Sequence, residues 1–225
     1  MKRPLKIVYG PLALNLLLCL SIALFQTDTY CADPGFASHH VSLPQDFVMP
    51  IEGATVPHNE NFLPNARRSY RNGRHQGVDM FCEYGTPVMA AKNGYVLHIS
   101  GCQKIPSSFK SRLLEISKRL SETPPEILRV LHGRHLTIEH GMTHGKWVVT
   151  VYSHLVRVAE GLAVGDFVRQ GEIIGYVGSS GTDSEGVKTG SHLHFEIRIN
   201  GHYLGEGMTP NEAGRLYRAI LKDKP

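Results

Sequence analysis

Ser191-His192-Leu193-His194-Phe195-Glu196-Ile197-Arg198-Ile199 alternates polar and apolar side chains without a slip. Successive side chains of a strand point to opposite faces, so His192, His194, Glu196 and Arg198 share one face and Leu193, Phe195, Ile197 and Ile199 the other. This is the pattern of a half-buried strand with its apolar side on a core. Two imidazoles then stand side by side on a rigid backbone, a suitable mount for a metal ligand or a general base. The plain alternative is a pair of solvent-facing histidines on an edge strand. The rest of the chain decides between them.

The chain has 225 residues, 41% hydrophobic and 20% charged, enough for one sizeable domain with a proper core. Against that ordinary background, 13 histidines make a metal site worth seeking. Met1-Lys2-Arg3-Pro4-Leu5-Lys6 leads into Ile7 to Phe25, uncharged and mostly apolar, and then into polar Gln26-Thr27-Asp28. A basic start, an apolar stretch and a polar exit make residues 1–31 an export signal. The apolar stretch, 19 residues, is also just long enough for an uncleaved membrane anchor. Both readings put the body of the protein outside the cytoplasm, periplasmic or extracellular. Neither Cys19 nor Cys31 follows the small residue that a lipoprotein signal needs.

Removing residues 1–31 takes three of the 24 basic and one of the 20 acidic residues, leaving a net charge of +2. That is too mild for nucleic-acid binding. Cys82 and Cys102 remain, an even pair in an oxidising compartment, and a disulfide between them is one expectation.

Outward from the central strand, the text is mostly short strands. Residues 32–45 carry no periodicity and read as a linker. Phe47 to Gly53 reads as a short edge strand, with Pro50 suited to an edge. Beyond it a loop rich in Asn and Pro leads to Arg67, Arg68, Arg71 and Arg74, which either steer an anionic substrate or belong to an ordinary solvated loop. In His75-Gln76-Gly77-Val78-Asp79-Met80-Phe81, Gly77 argues against a helix while Val78, Met80 and Phe81 suit a strand. His75 and Asp79, four apart, then share strand parity. Pro87 to Ser100 reads as a hairpin broken at Lys92-Asn93-Gly94, and Val164 to Val177 as a second hairpin with glycine turns.

Residues 103–132 interrupt the strands. Ser107 to Leu120 places Phe109, Leu113, Ile116 and Leu120 on one helical face. Thr123-Pro124-Pro125-Glu126 carries the cap, first-turn proline and capping box of a second helix. This insert is expected to bury its apolar face against the sheet, either as a lid over a cleft or as a packing element. Strands resume from His135 to His140 and from Lys146 to Leu155, with His154 at a strand end, where a side chain can lean into a cleft. Gly178 to Gly190 reads as a flexible loop, and Thr209-Pro210-Asn211-Glu212 opens a terminal helix with Ala213, Leu216 and Ile220 on one face.

Taken in order, five pieces resemble the lysostaphin and LytM type of zinc endopeptidase. They are His75-x-Gly77-x-Asp79, Gly85-Thr86-Pro87-Val88 with Gly94-x-Val96, Tyr152-x-His154-Leu155, the run from Val164-Gly165-Asp166 to Val177-Gly178, and His192-Leu193-His194-Phe195-Glu196. The likeness runs from about residue 46 to about residue 208. It implies a mainly β fold: an antiparallel β-sheet LytM-like peptidase domain over residues 46–225, with a helical insert, a C-terminal helix and a narrow groove. It also implies Zn2+ held by His75, Asp79 and His194, catalytic places for His154 and His192, and bacterial peptidoglycan peptides as substrate.

That chemistry is coherent by itself. Two neutral imidazoles and one carboxylate cancel one of zinc's two charges and leave a coordination position open, so water there is acidic near neutral pH. One neighbouring imidazole can take its proton and return it to the leaving amine. The other can stabilise the oxyanion. The residues do not say which of His154 and His192 is the base. His98, His140 and His144 read as structural or surface groups, and Cys82 is not needed as a ligand. Two other classes compete. A non-catalytic peptidoglycan-binding or amidase-activating module is opposed by the intact five-residue set, and a biotinyl or lipoyl carrier domain by the lack of a lysine at the Gly165-Asp166 tip. Oligomeric state leaves no mark in the sequence.

Overall fold

Leu193, Phe195 and Ile197 have no solvent exposure, and the fold is arranged to cover them. The computed structural model describes residues 45–101 and 105–222. The expected export segment and Cys102, hence the expected Cys82–Cys102 pairing, lie outside the described residues; so does the expected linker apart from Gln45. Among the described residues no helix is long and apolar enough to cross a membrane.

In chain order the first strands are β1 (Phe47–Val48), β2 (Arg67–Arg68), β3 (Gly73–Arg74), β4 (Val78–Phe81), β5 (Pro87–Met89) and β6 (Gly94–Ile99). The insert follows as α1 (Ser107–Lys118) and α2 (Pro125–His132). Then come β7 (Leu136–Thr143), β8 (Lys146–Ser153), β9 (Leu155–Val158), β10 (Phe167–Val168), β11 (Ile173–Val177), β12 (His192–Ile199) and β13 (His202–Tyr203). The chain closes with α3 (Pro210–Ile220) and β14 (Leu221–Lys222).

The main sheet has seven antiparallel strands in the order β10-β6-β7-β8-β12-β13, with β4 also on β12. A three-stranded sheet β5-β11-β9 adds Val88, Ile174, Val177 and Leu155 to one apolar cluster with the underside of β12. The mainly β, antiparallel reading therefore holds. β1 is shorter than expected, and it pairs parallel with β14, tying the two ends of the domain together.

β12 is the central strand, and here the half-buried expectation is corrected. β8 runs along one side of it, while β4 and then β13 occupy the other. Its polar face is enclosed as well: His194 is 5% exposed and Glu196 0%. Both hairpin readings also fail. β5 and β6 lie in different sheets, because buried Ala90 bonds across to the turn at Gly171 and Glu172 instead of folding back. β10 pairs with β6, and β11 pairs with β5 and β9. Glycine turns mark where a chain bends, and the apolar faces then choose the partner.

Two details of the insert differ too. Phe109, Ile116 and Leu120 are 48%, 42% and 42% exposed, so the apolar stripe of α1 faces outward. The helix docks through a polar seam instead, in which the Ser117 hydroxyl donates to the Arg71 carbonyl. α2 begins at a Pro124 cap with no side-chain hydrogen bond. The Thr123 hydroxyl that was expected to cap it lies 2.8 Å from both the carbonyl and the guanidinium of Arg71. The capping box of α3, by contrast, forms in full between Thr209 and Glu212.

Between β4 and β13 the Ile197 carbonyl accepts the Leu204 N–H at 2.8 Å, but among the described residues its N–H has no backbone partner. Buried Tyr217 of α3 fills the place, its hydroxyl accepting the Ile197 N–H at 3.1 Å. Tyr217→Phe strands that buried donor and should lower unfolding free energy by about 1–3 kcal/mol with an unchanged urea m-value. A loss below about 0.5 kcal/mol would contradict this account of the contact.

His140 is likewise structural. Its Nδ1 donates to the Asn93 carbonyl at 2.8 Å, and Nε2 lies 2.8 Å from the Thr150 hydroxyl, which is 3.0 Å from that of Tyr152. Burial pushes its pKa down to about 4. Unfolded histidine takes up a proton near pH 6.5, so between pH 6.5 and 4 the unfolded chain binds more protons and stability falls as pH falls. Urea midpoints at pH 7 and pH 4.5 should differ less in His140→Gln than in the parent.

Candidate metal centre

Strand register brings the predicted residues together. Asp79 on β4 and Ser153 at the end of β8 lie directly across from His194 on β12, and cross-strand partners share a face. His75 arrives from the segment before β4. A Cβ at Gly77 would sit 2.4 Å from the Phe195 carbonyl oxygen, so only glycine lets this segment lie against β12.

Asp79 Oδ1 is 2.9 Å from His75 Nε2 and 2.9 Å from His194 Nδ1, and the two nitrogens are 2.9 Å apart. The other polar atoms are engaged elsewhere. His75 Nδ1 donates to the Leu63 carbonyl at 3.0 Å, His194 Nε2 donates to Glu196 Oε1 at 2.8 Å, and Asp79 Oδ2 accepts from Arg68 at 3.3 Å. Those outer contacts turn three lone pairs inward. Electron-rich atoms so close repel unless positive charge lies among them. Tetrahedral zinc with bonds of about 2.0–2.1 Å spaces its ligand atoms about 3.3 Å apart, so a few tenths of an ångström of spreading suffices. The donor set fits a divalent cation.

The electrostatics agree. Burial pushes His75 down to about 4 and keeps it neutral. Burial also works against charge on His194, but hydrogen bonds to Asp79 and Glu196 outweigh it and raise its pKa to about 9: the site draws in positive charge. Asp79 and Glu196, both opposed by burial, stay well below the usual carboxylate range. The two histidines do this for Asp79, and Arg198 chiefly for Glu196.

His154 and His192 flank the set. His154 closes β8 in the left-handed region, φ 64°, and burial holds its pKa well below the ordinary value. Its Nδ1 donates to the Ser180 carbonyl at 2.8 Å, and His192 Nδ1 donates to that of Gly190 at 2.9 Å. With Nδ1 so engaged, the neutral form of each ring carries its lone pair on Nε2. The rings are 4.8 Å apart, and His192 stacks on Phe81 at 4.9 Å, its Nε2 3.8 Å from Asp79 Oδ1. The Gly178–Gly190 loop thus positions both imidazoles.

All five residues line one cleft of about 270 Å³. Insert residues Lys110, Leu114, Leu128 and His132 form part of its wall. A larger cavity of about 800 Å³, lined by Arg67 and Arg74 among others, contains none of the five. The arginines divide by role: Arg71 is buried and braces the insert, and Arg68 serves Asp79. In the sequence Arg68 read only as one of four arginines steering an anionic substrate or lying in a solvated loop, and Glu196 and His132 were not among the expected site residues. For Glu196 the parity of β12 was a usable signal, since it shares the face of His194. His132 offered none. Among the described residues two groups could hold a metal ion, His75-Asp79-His194 and His132-His194-Glu196, and Cys82 lies outside both.

A buried donor set with an open side and two poised imidazoles is what metal-assisted hydrolysis needs, and comparison with known proteins shows what the chain is similar to. Residues 127–205 match the family model described as Peptidase family M23, and the lysostaphin and LytM resemblance is borne out. His75 and Asp79 precede the matched segment. Lysostaphin of Staphylococcus simulans is 28% identical over 159 residues, covering 67% of this chain and 25% of the relative. DD-carboxypeptidase/endopeptidase Mpg of Neisseria meningitidis is 33% identical over 127 residues, covering 56% of this chain and 20% of the relative. Peptidoglycan DD-endopeptidase ShyC of Vibrio cholerae is 29% identical over 127 residues, covering 56% of this chain and 21% of the relative. The chain thus matches about a quarter or less of each relative's length.

Gly77→Ala forces a Cβ into the Phe195 carbonyl. It should cost at least about 2 kcal/mol of stability and lower any divalent metal bound relative to the parent, read by elemental analysis. A stable, fully loaded variant would refute the close approach.

Proposed function

We propose that this chain is a zinc-dependent endopeptidase hydrolysing peptide bonds of bacterial peptidoglycan. The observation that carries the reading is the convergence of His75 Nε2, Asp79 Oδ1 and His194 Nδ1 beside the free Nε2 atoms of His154 and His192. The first three would hold the metal. Zinc bound there supplies Lewis acidity, polarising the scissile carbonyl and acidifying water. Burial keeps His154 neutral, so its Nε2 can accept the proton of attacking water and pass it to the departing amine. His192 Nε2, on the same side of the set, serves as the second proton-handling or oxyanion-stabilising group. Anchoring of both Nδ1 atoms by loop carbonyls holds the rings in one tautomer and costs no reorganisation during reaction.

The names of the relatives support peptidoglycan as substrate and endopeptidase as activity. The complete set of five residues speaks against a non-catalytic module. The amino-terminal basic and apolar sequence supports export, by signal or anchor, to the compartment where such a substrate lies.

His75→Ala and His194→Ala should lose bound zinc, while His154→Ala and His192→Ala should keep it and lose at least about 10²-fold in turnover on purified peptidoglycan. Metal analysis beside mass spectrometry of released fragments reads both. Zinc loss in all four variants, or release of no peptide fragments by the zinc-loaded parent, would refute the division of roles or the activity.

A further inference from the structure

His132 ends the insert and touches the site twice. Its carbonyl accepts the His154 N–H at 3.0 Å, helping to hold that residue in its left-handed conformation. Its Nε2 lies 3.4 Å from Glu196 Oε1, the oxygen that takes the His194 Nε2–H at 2.8 Å. The His132 ring is 5.2 Å from that of His194, with His135 edge-on behind it at 5.7 Å.

The helix end carrying His132 has no room to drift. A Cβ at Gly133 would fall 2.3 Å from the Ser180 carbonyl carbon, and one at Gly181 would fall 2.4 Å from the Leu131 carbonyl oxygen. The α2 terminus therefore lies directly on the loop that anchors His154. At the far side of the insert, Thr123 and Ser117 grip Arg71. A third attachment, Lys110 to Asp183 at 2.8 Å, joins α1 to the same loop. The insert is fastened to both walls of the cleft.

We propose that the insert is a working part of the metal centre, with His132 a positioning residue that acts through Glu196 on His194. The proposal rests on the metallopeptidase reading. Glu196 has no solvent exposure, so its orientation depends on the donors around it. Arg198 Nε holds Oε2 at 2.6 Å, while His194 and His132 share Oε1. With His132 present, Glu196 cannot turn away from His194, and the Nδ1 lone pair of His194 stays aimed at Asp79 and His75. Groups hydrogen-bonded to a metal ligand, as Glu196 is to His194, typically change metal affinity 10- to 100-fold, and His132 acts one contact further out, so its effect falls at the lower end. Residues 105–132 are then more than a lid: without them the His194 ring loses part of its support.

The test is zinc affinity of the full chain, measured by chelator competition, with the melting temperature of the metal-free protein as the structural control. His132→Ala should weaken zinc about 10-fold while the metal-free melting temperature stays within about 2 °C of the parent. His132→Gln, which keeps a donor near the Nε2 position, should restore affinity to within about threefold of the parent. In a Glu196→Gln background, His132→Ala should add nothing further. Affinity of His132→Ala within twofold of the parent, no rescue by Gln, or full additivity with Glu196→Gln would each overturn the proposal. Absence of stoichiometric zinc binding by the parent would instead overturn the metallopeptidase reading itself.

Discussion

Keeping charge inside the polar face of β12 is the constraint on which this structure depends. Glu196 is a carboxylate wholly removed from water, and an unpaired charge in that position would be prohibitive. Arg198 matches it from one side, braced by Gln76 at 2.7 Å, and His194 from the other. The pairing settles which nitrogen of His194 carries the proton, and so where its lone pair points. Asp79 and His75 meet that lone pair, and Arg68 and the Leu63 carbonyl orient them in turn. One enclosed acid thus organises a file of polar groups from the core to the cleft.

Such a file needs a rigid mount, which the two sheets supply. The underside of β12 is held by an apolar cluster drawn from both, and its edges by β8, β4 and β13. Strand register, not side-chain flexibility, puts Asp79 and Ser153 opposite His194. The loops then add what strands cannot: two carbonyls that hold His154 and His192 with Nε2 free. The left-handed backbone of His154 marks a residue kept in an uncommon conformation by its surroundings, as functional positions often are.

The helical insert shows how a sequence can be read correctly in its elements and wrongly in its contacts. Both helices exist where periodicity and proline placed them. Yet the apolar stripe of α1 faces solvent, and the hydroxyl of Thr123 serves Arg71 in place of its own helix. Local capping competes with any tertiary partner of similar hydrogen-bond strength, and here the partner wins. The two misread hairpins have a related cause. Residues 91–93 and Gly171 do turn the chain, but Ala90 and Ala91 are small and buried, and they carry it across to another sheet.

His75, Asp79, His154, His192 and His194 could be picked out as candidates in the sequence because the short patterns that hold them resemble those of the lysostaphin and LytM type. The antiparallel β class came with that resemblance, while the alternation of β12 and the capping box of α3 were legible from residue types and spacing, which reflect local backbone geometry. Which strands pair, how deeply the polar face of β12 lies, and that His132 reaches Glu196 were decided only by the tertiary structure. His132 and Glu196 are 64 residues apart, and no local period links them. Their meeting depends on close packing of Gly133 against Ser180 and Gly181, a contact between segments that neither one encodes by itself.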